Sequence, residues 1–310
     1  MNRLLVIGSS PHIRTDMSTQ KLMGWVIAAL LPAGAAGVFF LGTRALLVIA
    51  VCVAICVITE AVWQKSTKQT VTVSDLSAVV TGVLLAYNLP PTVPLWMAGC
   101  GSVFAMVIAK HFFGGLGQNI VNPALAGRAM MLICWPVAMT TWTVQSVSGP
   151  TPLAALKGGE GVLPPLFDVF IGNVGGCIGE TSALAILLGA AVLIYRGVIS
   201  WRIPLVYILT VAVMAVILGR SAGPLYEIMT GGLMLGAFFM ATDYTTSPMT
   251  AKGHVVFAFG CGVITSLIRT FGGYPEGVSY SILIMNLAVP IIDRFTMPQI
   301  LGEVKKRGDK

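Results

Sequence analysis

The chain has 310 residues, of which 56% are hydrophobic and only 10% charged, and its formal net charge is +7. Soluble domains carry about 25% charged residues, so a soluble domain is excluded, and the recurrence of apolar segments along the whole chain also excludes a soluble domain with one anchor. In a membrane protein an excess of Lys and Arg is the ordinary result of basic residues collecting on the cytoplasmic side, so the charge points to no nucleic acid.

Residues 1–20 mix a short apolar stretch with Arg3, His12, Arg14 and Asp16, which reads as a retained cytoplasmic segment and not a cleavable signal. At about 17–25 residues per span, ten transmembrane helices are expected near 22–41, 45–63, 75–89, 94–111, 122–139, 178–194, 203–218, 226–241, 254–268 and 278–296. The third, fifth and eighth are short or interrupted by Gly and Pro, as segments that line transporter sites are. The expected fold is an all-α polytopic membrane protein forming one transmembrane domain over 1–310. Its parts are a first half at 22–139, an extracytoplasmic loop at 140–177, a second half at 178–296 and a cytoplasmic tail at 297–310.

Counting basic residues orients the chain. With the N-terminus inside, the cytoplasmic segments hold fourteen (Arg3, Arg14, Lys21, Lys65, Lys68, Lys110, Arg196, Arg202, Lys252, Arg294, Lys305, Lys306, Arg307 and Lys310), and the outer segments hold four (Arg44, Lys157, Arg220 and Arg269). That asymmetry places both termini inside. A faint repeat accompanies it: Thr81 to Leu85 is followed by Phe113-Gly114-Gly115-Leu116 and Asn122, and Gly231 to Leu235 by Phe271-Gly272-Gly273-Tyr274 and Asn286. Two halves of five spans each must face opposite ways, giving a 5+5 inverted repeat with any central site at the interface of the halves. Chance similarity among Gly-rich helices is the plainer alternative.

Between the fourth and fifth spans, Phe112 to Arg128 carries four glycines, two asparagines and a proline. Non-helical backbone at membrane depth survives only where protein or a ligand covers it, so this stretch reads as a binding loop. Gly114 and Gly115, with Gly117, let a ligand approach the backbone, while Gln118, Asn119 and Asn122 supply donors and acceptors. An arginine inside an apolar helix costs at least ~2.5–3.5 kcal/mol on insertion scales, so Arg128 must face inward, toward a phosphate or electron-rich ring or toward a structural salt bridge. Among the acids Glu60, Asp75, Glu180, Glu227 and Asp243, helix capping suits most, Ser74-Asp75 and Gly179-Glu180-Thr181-Ser182 resembling helix starts. Glu180 and Asp243 are also candidate stations for a cation or proton. The six cysteines are scattered through apolar runs and read as packing residues with no metal. Ser148-Gly149-Pro150-Thr151-Pro152-Leu153 reads by itself as an ordinary turn.

Taken together, the loop from Phe113 to Arg128, Gly-Glu-Thr-Ser at 179–182, Met-Ala-Thr-Asp at 240–243 and the Ser-Gly-Pro-Thr-Pro-Leu run resemble a known family. The chain is similar over nearly its whole length to the RnfD component of the Rnf ion-translocating oxidoreductase, which is related to the NqrB component of the sodium-pumping NADH:quinone reductase. Its short segment before the first span is more like the Rnf member.

The resemblance implies FMN attached through its phosphate to a threonine in a Ser-Gly-Ala-Thr-type motif, which is Thr151 here, with Ser148 and Gly149 beside it. Pro150 stands where the family has Ala, and Gln145 where an Asp is common. It further implies a bacterial or archaeal cytoplasmic membrane protein that works with the other Rnf subunits, relays electrons through the flavin and couples ferredoxin:NAD+ oxidoreduction to Na+ or H+ transport. Ferredoxin and NAD would be met only through those other subunits. A second, non-covalent flavin is also implied, without a position. A phosphoester would hold the flavin permanently while protein contacts tune its potential. From another class, a secondary transporter or channel for a small solute suits ten spans with broken helices equally well; flavin absorbance in the isolated protein separates the two.

Overall fold

The computed structural model describes residues 17–144, 147–148, 151–157, 163–220, 222–273 and 276–298. Gly149, Gln145, Pro150, most of the N-terminal segment and nearly all of the 297–310 tail lie outside them.

Helix α1 (Thr19–Leu41) starts where the Ser18 hydroxyl accepts from the Lys21 amide at 3.2 Å, and Gly42, at φ +85°, turns the chain into α2 (Thr43–Ser66). A single 3-10 turn (Val73–Asp75) leads into α3 (Ser77–Tyr87); there Asp75 Oδ1 accepts from the Ser77 amide at 2.8 Å, the capping role expected of it. Helix α4 runs over Leu95–Phe104 and continues as a π-helix through Ala105–His111. Helix α5 (Pro123–Cys134) begins with Asn122 as its cap and Pro123 in its first turn, a position where proline's missing N–H costs nothing. It breaks at Trp135, ahead of the short α6 (Pro136–Thr140).

The segment expected as a loop at 140–177 carries α7 (Pro152–Leu156), α8 (Leu166–Ile171) and a two-residue antiparallel hairpin pairing Thr143 with Ser148 and Val144 with Val147. The second half holds α9 (Ala183–Tyr195), α10 (Arg202–Ile217), α11 (Pro224–Met229), α12 (Leu233–Leu235, continuing as a π-helix through Gly236–Met240), α13 (Ala251–Phe271) and α14 (Val278–Thr296). All ten expected segments are helical over most of their length. Two differ in form. The sixth begins five residues late, because Ser182, not Glu180, caps α9 while Ile178 and Gly179 pair their amides with the carbonyls of Leu89 and Tyr87. The eighth breaks into α11 and α12 around Thr230–Gly232, where Gly231 takes φ +65°.

Among the described residues four helices, α1, α2, α13 and α14, are long and apolar enough to cross a membrane, and α3, α4, α5, α9 and α10 are shorter apolar helices. Their outward faces carry exposed Leu31, Phe39, Ile58, Val216, Leu287 and Ile291. Apolar surface on that scale is unfavourable in water and matches lipid.

Packing is ordered by pairs. In the first half α2 packs on α3 and α4, and α4 on α5; in the second α10 packs on α13, and α13 on α14. The halves meet where α1 packs on α9 and α5 on α14. In lipid, close helix contact depends on small residues that let backbones approach, and at Gly189 any Cβ would run into the main-chain carbonyl of Ala29. Gly189→Val is therefore expected to push α1 off α9 and destabilise by about 1–3 kcal/mol through overpacking. The measurement is the thermal unfolding midpoint in detergent, with Gly24→Ala, a position with open space around it, as the unaffected comparison.

Candidate functional site

The residues singled out in the sequence fall into two places, joined by α5 and α12. The first is a cavity lined by residues of both halves of the chain. Its apolar walls come from Leu22, Met23 and Val26 of α1, Leu84 of α3 and Phe238 and Phe239 of α12, and its polar lining from Lys110, Asn119, Asn122, Thr242, Asp243 and Thr245.

The loop after α4 reaches this cavity in a way its glycines do not announce. Gly114, Gly115 and Gly117 all sit at positive φ, open only to glycine without strain. The Gly114 and Gly115 amides, however, close the end of α4 on the carbonyls of His111 and Lys110. Leu116, Asn119 and Asn122 line the cavity instead. The Asn122 amide group donates to the Met240 carbonyl at 3.3 Å, and its oxygen caps α5. The Thr245 hydroxyl lies 3.0 Å from Asn119 Oδ1 and 3.1 Å from Asp243 Oδ2, tying the loop to the turn after α12. Thr246 donates to the same Asp243 oxygen at 3.0 Å.

Lys110, expected among the cytoplasmic loop charges, is buried. Its ammonium donates to Glu60 Oε1 and to Ser77 Oγ, each at 2.7 Å, and His111 Nε2 lies 3.5 Å from the same Glu60 oxygen. The π-helical end of α4 places Lys110 and His111 side by side against α2, and π segments are frequent at functional sites. Arg269, expected among the outer charges, is likewise buried, against Glu227 and Thr230. Without these two the basic residues stand at thirteen against three.

The second place is a pocket of about 360 Å³ empty volume whose lining includes Thr151, Leu153, Glu180, Thr181, Thr230, Gly231 and Glu276. Arg128 belongs to this end and not to the glycine loop. It lies six residues into α5 from Asn122, about 9 Å of helix rise, and forms an ion pair with Glu276 and a hydrogen bond with Ser279. Its other guanidinium contact is Cys177 Sγ, at 3.7 Å. The structural salt bridge is thus the alternative that the fold realises. Glu276 carries no signal of this role in the sequence because, just ahead of the last span, it resembles any loop acid.

Thr151 caps α7, its hydroxyl accepting from the Ala154 amide at 3.1 Å. That is compatible with a phosphoester, since the ester oxygen can still accept. At the other end of α7, partial burial and the neighbouring Arg220 charge pull the Lys157 ammonium below its ordinary pKa. Lys157 donates to the Gly272 carbonyl, and Arg220 is paired with Glu227. Ser148 lies in the β-hairpin strand just before Thr151 in the chain.

A model of the NQR2, RnfD, RnfE family matches residues 6–302. The chain is 55% identical, over 98% of each chain, to the D component of the Na+-translocating ferredoxin:NAD+ oxidoreductase complex of Acetobacterium woodii. It is 47% identical, over 96% of each, to the D component of the proton-translocating ferredoxin:NAD+ oxidoreductase complex of Clostridium ljungdahlii. With the D component of the ion-translocating oxidoreductase complex of Halorhodospira halophila it shares 36% identity over 96% of this chain and 95% of that one.

Proposed function

The chain belongs to the NQR2, RnfD, RnfE family, and from that premise we propose that it is the RnfD-type membrane component of a bacterial Rnf complex. In this reading it carries FMN on Thr151 and takes part in coupling ferredoxin:NAD+ oxidoreduction to translocation of Na+ or H+. The observation that carries it is the near-full-length match to two relatives named as components of such complexes. It works together with the other Rnf proteins, and ferredoxin and NAD are met through them.

The reading includes a topology: ten spans, both termini inside, and two five-helix halves related as an inverted repeat. The parallel packing within the halves and the two self-matching contacts between them, α1 on α9 and α5 on α14, support it. The Thr151 pocket then opens outward and the Asp243 cavity inward. From Gly232 to Asp243 the α12 segment runs from one to the other, roughly 15 Å along its rise.

Bound at Thr151, FMN supplies an electron carrier that cannot leave. The chain's own residues supply the anchor hydroxyl and a rigid support, α7 orienting the threonine. The inner cavity, apolar with a few convergent polar groups, suits the second, non-covalent flavin. Asn119, Asn122 and Lys110 would offer donors to its edge, and Asp243 remains a candidate cation or proton station beside it.

The test is mass spectrometry of the peptide spanning Gln145 to Lys157 from the complex purified from its native host. The expected result is an FMN adduct localised to Thr151; a peptide found only unmodified overturns the flavin assignment.

A further inference from the structure

At the break between α11 and α12 a carboxylate is buried without an ion-pair partner. Glu180 is 8% exposed, its Oε1 has no hydrogen-bond partner, and no basic nitrogen lies within 4.0 Å of it among the described residues. The groups that face it are already spoken for. Arg128, from α5, is paired with Glu276, and Arg269, from α13, is held by Glu227 and the Thr230 carbonyl. Glu227 also takes Arg220. The Cys177 thiol, one Glu180 oxygen and one Glu276 oxygen all lie within 4.8 Å of one another, so a second carboxylate presses on the first.

A buried carboxylate so placed is held as an ion only at high cost, and like charges at this range favour a shared proton. A second observation points to a small occupant. Thr181 Oγ1, also buried, has no partner, and Thr181, Glu180 and Glu276 line the pocket that contains Thr151. Gly232 completes the cradle, since a Cβ there would run into Glu180 Oε1.

We propose that Glu180 is a proton-carrying carboxyl, loaded at neutral pH and reached through the Thr151 pocket, with Glu276 and Cys177 as its close neighbours. A proton suits the site better than a metal ion, because the cluster offers two carboxylates and a thiol in place of the oxygen shell that a hard cation requires. The inference rests on the membrane topology proposed for the chain, under which the pocket faces outward, and not on the flavin. On this view the carboxyl takes its proton from the outer side, in the same pocket as the electron carrier's anchor.

Dicyclohexylcarbodiimide tests it, because that reagent adds to a protonated carboxyl in an apolar setting. Membranes containing the whole complex are treated across a pH series and the peptides analysed by mass. The expected result is an adduct on Glu180 at neutral pH that falls as pH rises and is absent in Glu180→Gln. Gly232→Ala is expected to lower labelling several-fold with the carboxyl still present, assembly being checked by size exclusion. Absence of label on Glu180 at every pH, an adduct on Glu276 in its place, or protection by sodium ions at constant pH overturns the proton assignment. Infrared spectra of the wild-type complex need no variant: a protonated carboxyl band that shifts in D2O is expected, and its absence at neutral pH overturns the proposal. In-gel flavin fluorescence on the same samples keeps the two readings apart, since label without flavin sinks only the flavin and flavin without label sinks only the proton site.

Discussion

Thr151→Ala is expected to abolish the flavin fluorescence of this protein on a denaturing gel, an all-or-none effect, while Thr151→Ser retains part of it. The reason is chemical: alanine has no oxygen to form the ester, and a serine preserves both the ester oxygen and the cap. The structural cost is small. Loss of the bond from the Ala154 amide removes one helix cap, about 1 kcal/mol, so the alanine variant should still assemble with its partner proteins. Ferredoxin-driven NAD+ reduction by the assembled complex should then fall to background. Fluorescence that persists in Thr151→Ala would show that the flavin hangs elsewhere. An assembled but non-fluorescent complex with full activity would show that the relay bypasses Thr151.

The helices were legible because their signal is length and apolarity: among the described residues four are long and apolar enough to cross a membrane and five more are shorter and apolar. Capping chemistry was legible too: Asp75, Asn122 and Ser182 hold helix starts as their residue types suggest. Partnership across the fold was not. Arg128 announced itself as buried and charged, yet its carboxylate is Glu276, 148 positions away, and nothing local marks that glutamate. Lys110 read as an ordinary loop cation because it follows an apolar run, and only the π-helical turn puts it against Glu60, 50 positions earlier. The glycines at 114, 115 and 117 signalled an unusual backbone correctly, but not that their conformations serve to end α4 and carry Asn119 and Asn122 to the cavity. One stretch of sequence therefore looked like one site, and the fold divides it between two ends of the bundle.

Arg269→Met is expected to destabilise by about 1–3 kcal/mol, the cost of leaving buried acceptors without their donor, read as a fall in the thermal unfolding midpoint and in the yield of monodisperse protein; Glu227 keeps Arg220 as an ion-pair partner. The guanidinium is almost wholly buried, at 1% exposure. It donates to the Glu227 carbonyl at 2.7 Å, to Glu227 Oε2 at 3.0 Å and to the Thr230 carbonyl at 3.0 Å. Those carbonyls are open because α11 ends there, so the arginine closes a helix terminus and answers a charge at once. Arg269→Lys should recover only part of the loss, since one ammonium cannot reproduce a planar fork that reaches three acceptors. Glu180→Gln, in the same pocket region, should behave oppositely. It replaces a protonated carboxyl that has no ion-pair partner with a neutral amide of similar shape, so stability is unchanged or raised while carbodiimide labelling disappears. The same thermal measurement on the two variants thus separates a charge kept to hold the break in the helix from a carboxyl kept for work. Equal destabilisation by both would mean that Glu180 is paired in the membrane and carries no proton.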